Sequence, residues 1–247
     1  MLKAAPPYNG SMKLRLLPLV LALASLAAAQ TPVEITAEPH HHLLLENGDV
    51  RVFALTLRPQ EQAMVNHQHN FLLVSLTDGE LVIWAEGSSS LPNFRIYKGE
   101  TQFSFAGRAI GMRNDRTTEY QGVVVEFLNP KVTSLQYDYE SGGWEYNSTG
   151  INPPADPHAR FVQKLELGAA SAADVQLMAG DSYPPPEKPS AELLIPVSEI
   201  ELALDQRPQI HKLAGEAAWI PVGRKSELAN RTNQPARFIM VTLFAAP

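Results

Sequence analysis

Apolar residues fall along this chain in short alternating runs, each closed by Gly, Pro, Asn or Asp. Val50 to Leu57 has the period of a strand and follows Glu46-Asn47-Gly48-Asp49, a signal for a tight hairpin turn. Phe71 to Leu76 comes next, then Glu80 to Ala85 after the Asp78-Gly79 turn. Phe94 to Tyr97, Thr101 to Phe105, Ile110 to Arg113 and Gln121 to Leu128 continue the series. Helical periodicity is scarce. Short strands with frequent turn signals predict an antiparallel all-β sandwich or barrel.

Residues 138–158 break the rhythm. Gly142-Gly143 and Asn152-Pro153-Pro154 read as a linker between a module at 30–137 and another at 159–247. Beyond it, strands are expected over Phe161 to Leu167, Val175 to Met178, Glu192 to Ile195, Ile200 to Leu204, Ala217 to Ile220 and Ala236 to Phe244. Pro184-Pro185-Pro186 cannot lie inside a central strand. Gly99, Gly107, Arg108 and Asn114 recur as Gly215, Gly223, Arg224 and Asn230 at one constant displacement. The same displacement lays Val123 to Phe127 over Ile239 to Leu243. The register predicts two tandem copies of one fold.

Composition narrows the chemistry. A 45% hydrophobic chain of 247 residues can build one large or two small cores. A formal charge of −6 gives no footprint for nucleic acid or anionic lipid. Without cysteine there is no disulfide, no thiolate nucleophile and no zinc–sulfur site, so chemistry falls to His, carboxylates or hydroxyls. Lys13 and Arg15 precede an apolar run from Leu16 to Ala29, and Ala27-Ala28-Ala29 stands before Gln30. Residues 1–29 therefore read as an export signal, with Met12 the more natural start. The run is short of the roughly 20 residues a membrane helix needs. The mature protein is expected to begin near Gln30, secreted or periplasmic, with no stable membrane anchor.

Candidate chemistry gathers at Val65 to Val74. His67 and His69 stand one residue apart before an apolar run, and in an extended chain they would share a face. Paired imidazoles on one face are the usual start of a metal site. His40-His41-His42 lies upstream and could lend a further imidazole.

These residues resemble the cupin family, and specifically its two-module bicupins. The first family motif, G-x5-H-x-H-x3,4-E-x6-G, is met by His67 and His69, with Glu61 at the first Gly and Leu73 or Val74 at the acidic position. The second, G-x5-P-x-G-x2-H-x3-N, is met by Gly99, Gly107 and Asn114, with Phe105 for the Pro and Ile110 for the His. In the second module Gly180, Glu192, Gly215, Pro221, Gly223 and Asn230 fit, while Pro186, Lys188 and Ser226 replace the three His. The resemblance implies an all-β fold of two tandem jelly-roll barrels. It also implies a divalent metal held by three His and one Glu, most of which are replaced here.

Three readings follow. The first is an exported bicupin, non-enzymatic or catalytically degenerate, without a cofactor. It would bind a small molecule in an apolar first-module pocket at His67, His69, Leu73, Ile110 and Met112, or serve a structural role. The second is an enzyme with a divalent transition metal in the first module, held by His67, His69 and one of His40 to His42. The third is a homo-oligomer joined through outer sheets near Phe238 and Phe244. In the second module, Glu192 beside Lys188 reads as a salt bridge. Ser226, with no base closer in sequence than His211, is a poor nucleophile. Trp84, Trp144 and Trp219 are core tryptophans or sugar-stacking rings.

Overall fold

The computed structural model describes residues 31–86, 94–133, 161–204 and 210–244. The proposed signal, the centre of the linker and Trp144 lie outside them. The first ten strands are β1 (Val33–Glu34), β2 (His41–Glu46), β3 (Val50–Leu57), β4 (Gln62–Asn66), β5 (Phe71–Ser75), β6 (Gly79–Ala85), β7 (Phe94–Ile96), β8 (Thr101–Ser104), β9 (Ala109–Asn114) and β10 (Tyr120–Phe127). They form two sheets, ordered β1-β4-β9-β6-β7 and β2-β3-β10-β5-β8.

The remaining strands are β11 (Phe161–Glu166), β12 (Ala170–Leu177), β13 (Ser182–Tyr183), β14 (Ser190–Pro196), β15 (Ile200–Leu204), β16 (Ile210–Lys212), β17 (Ala218–Ile220), β18 (Leu228–Asn230) and β19 (Ala236–Phe244). Their sheets run β11-β12-β19-β14-β17 and β13-β18-β15-β16. In each half the last long strand returns between two earlier ones: β10 between β3 and β5, β19 between β12 and β14. That return is the jelly-roll connection. The protein is all-β, two tandem jelly rolls.

The strand period explains why the central strands are apolar on both faces. On β3, Phe53, Leu55 and Leu57 point into the first jelly roll, against Ala63, Val65, Leu81, Ile83, Ile110 and Met112. Val50 and Val52 point the other way, into a cluster shared with Ala172, Leu193, Ile195, Ile239 and Val241 of the second half. The two halves are thus joined sheet to sheet, and their junction is built like an interior. Burying each such Val, Leu or Ile is worth about 1.5–3 kcal/mol, so the junction stabilises both modules. The second interior holds Val175, Leu177, Leu194, Leu202, Leu228, Phe238 and Met240.

The repeated glycines serve this junction. Gly99 and Gly215 both adopt positive φ, 86° and 82°. A Cβ at Gly99 would strike the Arg237 guanidinium, and one at Gly215 would strike Leu76, each from the opposite module. The repeated asparagines close each interior: Asn114 donates to the carbonyls of Leu57 and Thr118, Asn230 to those of Leu177 and Gln234.

Several expectations change. Phe238 is wholly buried inside the second module, so it cannot form an outer-sheet contact, whereas Phe244 is partly exposed. Its inward register on β19 decides this. β12 begins at Ala170 rather than Val175, because Ala170 and Ala172 pack into the junction despite low strand propensity. The first motif's turn residue is Gln60, not Glu61. Gln60 has φ 66°, and its N–H donates to Asn114 O as Gly180 N–H donates to Asn230 O. Trp219 packs on the junction, and Trp84 lies half-buried across Gly111, where a Cβ would collide with its ring.

Candidate functional site

The inward face of the first module carries one polar group of side chains in an apolar setting. Glu126 on β10 is the direct cross-strand partner of Arg51 on β3 and of Phe71 on β5. Directly opposed residues point to the same face, so the three stand side by side. From the sister sheet, Ala63 and Val65 point inward and His67 continues their phase just past the end of β4. The His67 ring stacks on Phe71 with centroids 3.8 Å apart, and its Nδ1 lies 3.0 Å from Glu126 Oε1. Arg51 Nη2 is 2.7 Å from Glu126 Oε2.

The electrostatics fix the protonation states. Burial holds His67 below its ordinary pKa, against the opposing pull of Glu126, so the ring is neutral at neutral pH. Burial pushes Glu126 up, but the hydrogen bond from His67 and the Arg51 charge outweigh it and leave the carboxyl below its usual range. A neutral ring with Nδ1–H donating to a carboxylate presents Nε2 as a bare acceptor.

The network is incomplete. The Arg51–Glu126 contact is an ion pair outside hydrogen-bond geometry, and both Glu126 Oε2 and Arg51 Nε are buried without a hydrogen-bond partner.

A second imidazole group flanks this one. Glu38, buried after the 3-10 turn Ile35–Ala37, takes His40 Nδ1 at 2.7 Å and His41 Nδ1 at 2.6 Å. Burial pushes Glu38 up, and the His41 and His40 hydrogen bonds outweigh it, so its pKa lies below normal. His41 pairs with inward-facing Leu55 and is close enough to His67 to disfavour its protonation, whereas His42 is exposed. His69 is half-buried, beyond an exposed Gln68, and close enough to Glu126 to help hold it charged. His67 and His69 lie past the end of β4, His69 in a bend rather than an extended strand. Leu73, Ile110 and Met112 all belong to the first interior cluster.

The second module answers with a closed pair. Arg224 Nε donates to Glu192 Oε2 at 2.6 Å and Nη2 to Oε1 at 2.7 Å, a bidentate contact. Its remaining donors reach Ser226 O at 2.7 Å and Pro184 O at 2.9 Å, and Tyr183 lies 5.9 Å below the guanidinium. Lys188, expected beside Glu192, is exposed; the partner is Arg224, the repeat mate of exposed Arg108.

Solved structures share this arrangement of strands. AerE from Microcystis aeruginosa superposes with a TM-score of 0.55 at 14% identity, covering 84% of this chain and 99% of its own. A Cupin 2 conserved barrel domain protein from Leptotrichia buccalis gives 0.53 at 12% identity, covering 87% of this chain and 92% of its own. This chain has the cupin fold. Salicylate 1,2-dioxygenase from Pseudoaminobacter salicylatoxidans, as a G106A mutant in complex with gentisate, gives 0.56 at 10% identity over 86% of this chain and 76% of its own. No protein-family profile and no curated protein sequence matches the chain.

The cupin metal set can now be tested against the residues in place. Strand register makes Phe71, not Leu73 or Val74, the counterpart of Glu192: Phe71 opposes Glu126 as Glu192 opposes Thr242. Val74 points into the junction instead. The acidic position of the first cupin module is thus an aromatic ring stacked on the first motif histidine. Both oxygens of Glu192, the acidic residue kept by the second module, are taken by Arg224. Among the described residues no group of three or more His, Cys, Asp or Glu is gathered to hold an ion. The donors present do not fit the cupin metal.

Arg51 and Arg224 were missed as site residues. The available signal was an arginine in an inward phase: Arg51 alternates with Val50 and Val52, opposite to both.

Proposed function

We propose that this cupin-fold protein is an exported binding protein. It takes one small, largely apolar molecule into its first module without a metal ion, and its second module is structural support. The observation that carries this reading is the incomplete Arg51–Glu126–His67 network. Buried polar atoms are almost always satisfied, so an unsatisfied set within an apolar interior supports a guest bound there. Leu73, Ile110 and Met112 supply apolar surroundings, together with the stacked His67–Phe71 pair. A neighbour solved in complex with gentisate is consistent with a one-ring guest in this fold.

The test uses residues 30–247, purified without a histidine tag. Transition-metal content is measured, and one-ring aromatics are titrated with and without chelator. Binding in the millimolar range or tighter that ignores the chelator is expected. Near-stoichiometric metal that disappears in His67→Ala would restore the metal-enzyme reading. Binding of no aromatic probe would remove the guest.

A further inference from the structure

We propose that the guest is a neutral hydroxyl compound, an alcohol or phenol with an apolar body, whose oxygen completes the Arg51–Glu126–His67 network. This rests on the binding reading above and adds its chemical class. The unfilled valences select it. Arg51 Nε–H is buried without an acceptor, and Glu126 Oε2, apart from its 2.7 Å ion contact with Arg51 Nη2, is buried with no donor in hydrogen-bond geometry. A hydroxyl both donates and accepts, so one oxygen can take the Arg51 Nε–H and donate its own hydrogen to Glu126 Oε2.

Other classes leave a mismatch. A carboxylate only accepts, and it would meet the Glu126 carboxylate. An ammonium only donates, and it would leave Arg51 Nε unmet. A hydrocarbon would leave both atoms buried and unsatisfied, which is costly. The formal charges agree: Arg51 and Glu126 cancel across their 2.7 Å contact, and His67 is neutral, so an ionic guest gains no counter-charge. Glu192 and Arg224 leave no such opening in the second module, which places the guest in the first.

Phenol, toluene, benzoate and benzylamine are titrated against residues 30–247 at pH 7.5 by calorimetry. Long-range proton–nitrogen NMR of the histidine rings is followed in parallel. Phenol is expected to bind at least fivefold tighter than toluene, with benzoate and benzylamine weaker still. Phenol should also shift His67 Nε2 or the Arg51 Nε signal. Arg51→Met removes every guanidinium donor with a side chain of similar length, so it should abolish the preference for phenol over toluene. Should that variant not fold, Glu126→Gln serves the same purpose.

The outcomes separate the two claims. Toluene equal to phenol means that water, not the guest, fills the network; binding stands and the hydroxyl class falls. Benzoate or benzylamine tighter than phenol likewise overturns the class alone. No binding by any of the four overturns both.

Discussion

On its inward face each module keeps one buried carboxylate beside an arginine, and the two pairs differ in how completely they are satisfied. In the second module Glu192 and Arg224 exchange two hydrogen bonds, and the guanidinium goes on to two backbone carbonyls. In the first, Glu126 and Arg51 meet at one ion contact, leave an atom each unfilled, and share the carboxylate with His67. A saturated ion pair acts as a structural plug, whereas a partly satisfied one leaves buried polar atoms unmet. The carboxylate has also changed strands, from β14 in the second module to β10 in the first, and Phe71 fills the vacated position. That exchange releases Arg108 to solvent while its mate Arg224 turns inward.

The largest expected effect comes from opening the plug. Arg224→Ala leaves Glu192 buried without a counter-charge and should cost about 3–5 kcal/mol in urea unfolding. Pairing Arg224→Met with Glu192→Leu removes both charges and should recover most of that loss. A single-variant loss under about 1 kcal/mol would deny the plug its structural role.

The same operation in the first module should cost less. Glu126→Gln keeps the shape and weakens a network that is already incomplete. Arg51 retains a solvent-facing edge, with 14% of its side chain exposed, so it can be rehydrated. A loss of about 1–3 kcal/mol is expected. A loss as large as that of Arg224→Ala would mean that the two pairs do the same job.

Much of the fold was legible, because strand period, turn glycines and the repeated Gly and Asn positions are all local signals. The site was less legible. His67 could be found from its motif, and Leu73, Ile110 and Met112 from their inward phase. Glu126 could be seen only as an acid within an apolar strand, since its partners Arg51 and His67 come from distant strands. The motif spacing puts the acidic position at Leu73 or Val74, whereas strand pairing puts Phe71 there. Only cross-strand register shows this. Arg224 was read as a repeat marker, and nothing local distinguished it from exposed Arg108.

A smaller difference should appear with pH. Since His67 is held below its ordinary value, the unfolded chain binds more protons than the folded one in this window. Stability is full above about pH 6.5 and is lost as pH falls toward the folded value. The groups around it are Glu126, Arg51, His41 and His69. His211, raised by its hydrogen bond to Glu199, has the opposite sign, but it is exposed and screened. Stability of the parent and of His67→Phe is compared between pH 5 and 7.5; the variant should lose the acid-side decline. Below about pH 4.5 both should fall as Glu38 protonates, its pKa being depressed. Asp174, raised by burial, partly offsets this with the opposite sign. An unchanged slope in His67→Phe would place the titrating group elsewhere.

The smallest effect sharpens the comparison at the turn that opens each motif. Gln60 and Gly180 occupy the same position, with φ of 66° and 84° and the same hydrogen bond to the module's buried asparagine. A side chain in this left-handed region costs about 1–2 kcal/mol, and glycine removes that strain while adding freedom to the unfolded chain. Gln60→Gly should therefore stabilise the protein by about 0.5–1 kcal/mol, and Gly180→Ala should destabilise it by a similar amount. Both are read from urea midpoints at constant slope. If Gln60→Gly instead weakens phenol binding while raising stability, the strained turn helps aim β4 and His67 at the network. If it alters stability alone, Gln60 is only a turn residue, and the site is positioned by the strand pairing of β3, β5 and β10.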